Sequence, residues 1–200
     1  MSAQVTRRRG EYAKSAARRE QILDAAAEVF SRSGFTAASL ADIAEAANMS
    51  IAGLNHHFAT KTQLLEAVFD RSREVAVSLF TSSDPLDNLR ASLDLAQSNE
   101  GDPVTIRLFA VMSAEATSPE HPAHHRLLQH YDATLNAVLG SFVELERSGR
   151  LRPDVRPDDA ARAYVALSDG LQIQAMYQPD AFSQPDVIRR LLSSFLTEPL

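Results

Sequence analysis

The stretch Ser39–Phe69, SLADIAEAANMSIAGLNHHFATKTQLLEAVF, holds two short apolar-periodic runs, a tight break between them and the opening of a longer helix. Ser39 precedes Leu40, Ile43, Ala44 and Ala47, with Asp42 three residues on; this acidic form of the capping box predicts a short helix over 40–47. Asn48 and Met49 break that helix. Ser50 caps a second one through His57, whose buried side is supplied by Leu54 and Phe58. Thr60, with Gln63 three on, opens a long helix through Val68, Phe69 and Val75 to about Phe80. Two short helices joined by about three residues fit a helix-turn-helix, a motif that lays its second helix in the DNA major groove. Ala44, Ala47 and Gly53 are small enough for the helices to cross closely, which leaves Ser50, Ile51, Ala52, Asn55 and His56 on the free face. On such a face an amide pairs with an adenine edge or a phosphate, a hydroxyl or imidazole with phosphate, and an aliphatic side chain with a thymine methyl. Lys61 and the N–H groups opening the next helix would add a second phosphate clamp. The same residues also suit a plain helical hairpin inside a core, with Gly53 a packing glycine and the histidines at the surface.

Working outward, Ile22, Leu23, Ala26, Val29 and Phe30 recur at helical spacing, and Ser33–Phe35 (SGF) reads as a glycine stop, giving a helix over about 16–33. Ahead of it, Arg7, Arg8, Arg9, Lys14, Arg18 and Arg19 stand against Glu11 alone, so residues 1–15 read as a flexible basic arm, either solvated or tracking a phosphate backbone. Beyond residue 82 the helical period resumes over Leu86–Leu95, Val104–Met112, Leu127–Leu145, Ala160–Met176 and Val187–Leu196. No strand-like alternation interrupts it. The fold class is therefore all-α, with the arm at 1–15, a three-helix helix-turn-helix domain at 16–62 and a C-terminal domain of roughly six helices at 63–200.

Composition narrows the function classes. With 200 residues, 44% hydrophobic, there is enough chain for one or two units with real cores. The absence of cysteine excludes a disulfide framework and a zinc-thiolate site. No apolar run approaches the roughly 20 residues that span a bilayer, and the N-terminus lacks the apolar core of a signal peptide, so a cytoplasmic location is expected. The net charge of −6 is uneven: residues 1–74 carry 10 Lys+Arg against 9 Asp+Glu, and residues 75–200 carry 10 against 17. A glycine-rich phosphate loop, a nucleophile elbow and a paired acidic-histidine metal motif are all missing, so no enzyme and no cofactor is expected.

The segment Arg18–Phe69, RREQILDAAAEVFSRSGFTAASLADIAEAANMSIAGLNHHFATKTQLLEAVF, resembles the DNA-binding domain of the tetracycline-repressor (TetR) family of transcriptional regulators, without a gap. The resemblance covers about a quarter of the chain. It implies a homodimeric repressor that binds a palindromic double-stranded DNA operator and is released by a small organic effector in the C-terminal helices. It also implies residue roles: Ser39 caps its helix and meets phosphate, Ser50 caps the recognition helix, Ile51, Ala52 and Gly53 approach base edges, and His56 and Lys61 contact phosphate; Thr60, the cap of the next helix, is a further DNA-binding candidate. Two positions depart from the family pattern, Asn55 where tyrosine is usual and Ala41 where arginine is frequent. Specificity is then expected to rest on Asn55, on Ile51 and Ala52, and on Arg7–Arg9 entering an adjacent minor groove.

In the C-terminal part, Val187, Ile188, Leu191, Leu192 and Phe195, joined by Leu167, form a stripe wide enough for a two-fold helical interface, or for a terminal helix sunk in its own core. For the effector, Leu108, Phe109, Met112, Phe142, Leu171 and Met176 are candidates to line a cavity, with Tyr164, Gln174 or Tyr177 orienting the ligand; the same residue types also make an ordinary packed interior. His121 with His124 or His125, downstream of Glu115, has helical metal-ligand spacing, but Pro122 places His121 at or before a helix start, where clustered histidines are solvated. No metal site is expected.

Overall fold

The computed structural model describes residues 2–76, 82–99 and 102–200, with side chains over 14–71, 82–95, 97 and 102–200. The chain divides into two compact units, Met1–Arg71 and Ser72–Leu200. The division falls inside α4 (Lys61–Ala76). Among the described residues the chain is helix and turn, apart from an isolated antiparallel bridge between Leu151 and Leu196.

The first unit contains α1 (Ser2–Ala37), α2 (Leu40–Ala46), α3 (Ile51–His57) and the start of α4. Its core is Ile22, Ala26, Val29 and Phe30 from α1, Ile43 and Ala44 from α2, Leu54 and Phe58 from around α3, and Leu64, Leu65 and Val68 from α4. Each large side chain buried there contributes about 1.5–3 kcal/mol of transfer free energy. Helix α1 carries its apolar face where the sequence placed it, and its backbone is helical from Ser2. Gly34 adopts φ 72°, ψ 177° inside α1, a left-handed φ that glycine reaches without a Cβ clash, and this marks the stop read from Ser33–Phe35. The end of α4 near Phe80 and the side chains of Arg7–Arg9 lie outside the described residues.

The second unit packs α5 (Pro85–Asn99), α6 (Pro103–Glu115), α7 (His124–Arg147), α8 (Pro157–Tyr177) and α9 (Gln184–Phe195). Its core joins Leu86, Leu89 and Leu93 to Val138, Phe142 and Leu145, and these to Tyr164, Leu171, Ile188 and Leu192. Helix α7 ends in a Schellman motif: Gly149 takes φ 72°, its N–H reaches Glu146 O at 3.0 Å and the Arg150 N–H reaches Leu145 O at 2.8 Å. From there the chain pairs back on the C-terminus, Arg152 N–H to Phe195 O and Thr197 N–H to Arg150 O, both at 2.9 Å. The Arg150 guanidinium adds ion pairs to Asp84 at 3.0 Å and Glu198 at 2.7 Å.

Candidate nucleic-acid interface

The turn between α2 and α3 is built by backbone geometry that the sequence signals only faintly. After Ala46, Asn48 occupies φ 51°, the Asn48 N–H reaches Glu45 O at 2.9 Å and the Met49 N–H reaches Ala44 O at 2.9 Å. This is again a Schellman motif, with asparagine, the next best left-handed residue, where glycine is usual. Upstream, the capping box closes in both directions: the Asp42 N–H donates to Ser39 Oγ at 3.1 Å and the Ser39 N–H to Asp42 Oδ2 at 2.9 Å. The Ser39 hydroxyl and amide hold the Asp42 carboxyl below its ordinary range. Downstream, the Gly53 N–H donates to Ser50 Oγ at 3.1 Å, capping α3. Gly53 was expected to permit a close helix crossing. Instead, a Cβ there would stand 3.2 Å from Met49 Cε and 3.3 Å from Ser50 Oγ, so the glycine clears room for the turn and the cap.

With Leu54 and Phe58 buried, α3 turns Ser50, Ile51, Ala52, Asn55 and His56 outward, and Ile51 is 48% exposed. Gly53 is half-buried; Ser39 and Thr60 are exposed. Thr60 Oγ1 accepts the Gln63 N–H at 3.1 Å and starts α4, while Gln63 Oε1 reaches back to the Ala59 N–H at 3.2 Å, one residue before the cap. Arg19 of α1 lies over the Phe58 ring at 4.3 Å, steadying the end of α3 by a cation–π contact.

Lys61, expected at a phosphate, is tied to carbonyls of the protein itself. Its ammonium donates to Phe35 O and Ala38 O, both at 2.6 Å, lies 3.4 Å from Thr36 O, and sits 4.4 Å from the centre of the Phe35 ring. An ammonium has three N–H donors, and two are committed to short bonds with carbonyls in the last turn of α1 and just beyond it, where the helix dipole favours a cation. Lys61 is thus a clamp between the start of α4 and the end of α1. Further along, Arg71 pairs with Asp24 at 2.6 Å and Glu20 at 3.5 Å, fixing α4 to α1 a second time.

Residues 22–68 match the family described as bacterial regulatory proteins, tetR family, and residues 85–200 match the BetI-type transcriptional repressor, C-terminal family, which alone spans more than half the chain. The chain belongs to the TetR family. The HTH-type transcriptional regulator BetI of Agrobacterium fabrum is 32% identical over 166 residues, covering 78% of this chain and 76% of BetI. NalD, the secondary repressor of the MexAB-OprM multidrug efflux pump in Pseudomonas aeruginosa, is 26% identical with a TM-score of 0.73, covering 92% of this chain and 98% of NalD. A SmeT–triclosan complex shares the fold, with a TM-score of 0.74 at 21% identity and 90% of each chain covered. This TetR-family protein is accordingly a DNA-binding transcriptional regulator and not an enzyme. Among its described residues no helix is long and apolar enough to cross a membrane.

In the second unit of this TetR-family chain the expected pocket residues separate. Phe142, Tyr164 and Leu171 belong to the packed core, and Leu108 and Met112 are equally buried, at 1% and 0% exposure. Phe109 and Met176 are half-buried and Gln174 is exposed. The interface stripe divides as well: Ile188 and Leu192 are 0% exposed in the chain's own core, with Val187, Leu167 and Phe195 packed against it. The i, i+4 spacing of Ile188 and Leu192 puts them on the inner line of α9, while Leu191 stays half-buried beside it. The large apolar side chains left outward on α8 are Ile173 and Tyr177, at 43% and 84% exposure. The histidines disperse: His121 Nε2 lies 3.9 Å from Glu115, His124 Nδ1 bonds Ala116 O at 2.8 Å, and His125 Nε2 meets Gln129 at 2.9 Å. Sequence reasoning passed over a further pair in this unit. The Tyr131 hydroxyl meets Asp169 Oδ2 at 2.8 Å, across 38 residues of chain.

Proposed function

We propose that this regulator binds a palindromic operator as a homodimer, represses transcription from it, and is released when a small organic molecule enters the helices of its second unit. The observation that carries the reading is the outward face of α3: Ile51, Ala52, Asn55 and His56 stand exposed on a seven-residue helix whose other side is locked by Leu54 and Phe58. A half-exposed isoleucine opening so short a helix gains by meeting a thymine methyl, and Asn55 one turn later is placed for an adenine edge. Ser39, Thr60 and His56 would hold the flanking phosphates, and the Arg7–Arg9 segment would extend the contact. Ser50 and Gly53 would shape the N-terminal turn that approaches the bases. Lys61 acts indirectly, by fixing α4.

A two-fold partner would come through Ile173 and Tyr177 of α8 with Leu191 of α9, leaving Ile188 and Leu192 to the monomer core. Two recognition helices one DNA turn apart would read a palindrome. An effector in the second unit would act along α4, the helix whose residues run from one unit into the other, and operator binding must then weaken effector binding by the same factor. That the SmeT structure contains triclosan supports an organic effector for this relative.

The test is a titration of purified protein against the DNA upstream of its own gene, beside a scrambled duplex, at several salt concentrations, with Asn55→Ala and His56→Ala variants. Tight, salt-steep binding to the upstream fragment, with its sequence preference lost in Asn55→Ala, is expected. Equal and weak binding of both duplexes would sink the reading.

A further inference from the structure

We propose that Asp169, with Tyr131, His130 and Phe109, is the recognition point for a small organic ammonium ion carrying an aromatic or apolar body. The inference rests on the effector-responsive reading above and names the effector's chemistry.

The group is assembled from three helices. Asp169 stands on α8, His130 and Tyr131 are consecutive on α7, and Phe109 and Ser113 come from α6. The Tyr131 hydroxyl lies 2.8 Å from Asp169 Oδ2 and 3.2 Å from Ser113 Oγ. A phenol has one proton; the shorter, charge-assisted bond to the carboxylate takes it, and Ser113 donates to the phenol oxygen. The rings gather on the same side: Phe109 and His130 are 5.2 Å apart between centroids and tilted, and His130 and Tyr131 are 5.8 Å apart edge to face. All five side chains are half-buried, so the group is sheltered yet open to an incoming molecule.

Burying a carboxylate away from water is costly unless a cation or several hydrogen bonds compensate it. Residues 72–200 contain no lysine, and among the described residues no arginine pairs with Asp169. The one hydrogen bond comes from a neutral phenol to Oδ2; among the described residues none reaches Oδ1. Burial pushes the Asp169 carboxyl up, against the opposing pull of Tyr131 and His130, while burial holds the His130 imidazole below its ordinary value, so the ring beside the carboxylate is neutral at pH 7. An ammonium N–H donor at Oδ1 would supply the missing charge and bond together, and the Phe109, His130 and Tyr131 rings would take its apolar body and add cation–π attraction. A metal ion is a poor match, since no group of three or more His, Asp or Glu side chains converges among the described residues. An anion would meet the carboxylate head-on.

The experiment uses three probes of one shape and differing charge, benzylammonium, benzyl alcohol and benzoate, titrated calorimetrically into the full-length protein at neutral pH. Operator affinity without any probe is measured first, so that the regulator reading stands or falls separately. The expected result is benzylammonium binding about tenfold or more tighter than benzyl alcohol, with benzoate weakest and with operator affinity reduced at saturating benzylammonium. Asp169→Asn should bring benzylammonium down to the level of the alcohol without lowering the helical circular dichroism, and Tyr131→Phe should weaken it less. Equal binding of the three probes, a preference for the alcohol or the anion, no binding of benzylammonium up to about 10 mM, or a cation preference that survives Asp169→Asn would each overturn the proposal. The probe series in the native protein decides the matter even if a variant fails to fold. An intact operator titration with no cation preference would remove this inference and leave the regulator.

Discussion

Three residues carry work that their positions in the sequence do not announce. Asn48 holds φ 51° in the turn of the helix-turn-helix, where a β-branched side chain would press on its own backbone. Asn48→Val should lower unfolding free energy by about 1–2 kcal/mol, whereas Asn48→Gly should leave it within a few tenths of native; urea denaturation of both variants checks this. Lys61 separates two roles that are easily confused. As a clamp on Phe35 O and Ala38 O, its loss in Lys61→Met should cost about 1–3 kcal/mol of stability through unsatisfied carbonyls. It should leave the slope of log affinity against log salt unchanged, while a direct phosphate contact would reduce that slope by about one. His130 has a depressed proton affinity in the folded state, caused first by burial, opposed by Asp169 and reinforced by Arg126. Its stabilising share is therefore present above the unfolded imidazole value of about 6.5 and is lost as pH falls through and below it. Asp169, raised by burial, runs the other way, favouring the fold at low pH and less so as pH rises through its elevated value. Acidification from pH 7 into the imidazole range should thus lower the melting temperature, and His130→Gln should flatten that decline; an unchanged slope in the variant would refute the assignment.

At the scale of elements, termini matter as much as faces. The caps Ser39, Ser50 and Thr60 and the left-handed exits at Asn48 and Gly149 fix where helices start and stop, which is why their bounds fall within a residue or so of those read from the sequence. Gly149→Ala adds no clash, since nothing lies within 4 Å of the new Cβ, but forces alanine to φ 72°. It should cost about 1 kcal/mol, readable in the urea midpoint. Helix faces were harder to assign. The stripe of α9 is periodic whether it faces its own core or a partner, and only packing gave Ile188 and Leu192 to the former. Pocket residues met the same difficulty: Leu108, Met112 and Phe142 have types and spacing that suit a lining and a packed interior alike, and they are fully buried.

For the whole molecule, the proposed reading of a palindrome requires the recognition helix to be rigidly held and present in two copies. Rigidity comes from α1 and α4, joined by Lys61 at one end and by Arg71 with Asp24 and Glu20 at the other, a frame against which α2 and α3 are packed. Duplication is proposed through the outward apolar side chains of α8 and α9. A double change, Ile173→Glu with Tyr177→Glu, should convert a dimer to a monomer in sedimentation and collapse operator affinity while leaving helical content intact, because both side chains are largely exposed in the single chain. A variant that remains dimeric would place the interface elsewhere.

Local chemistry by itself determined the all-α class and the helix-turn-helix at Ser39–His57, while the family followed from the resemblance of Arg18–Phe69 to known regulators. Caps, glycine stops and the 3.6-residue period act over a few residues and are written in the sequence as such. What only the tertiary structure decided are the long-range meetings: Lys61 with the carbonyls at Phe35 and Ala38, Arg71 with Asp24, and Tyr131 with Asp169. These pairs lie 23 to 47 residues apart, and no local pattern marks them. A charged or polar side chain looks the same in a sequence whether it faces water, DNA or a buried partner; which of these it meets is set by how the helices pack.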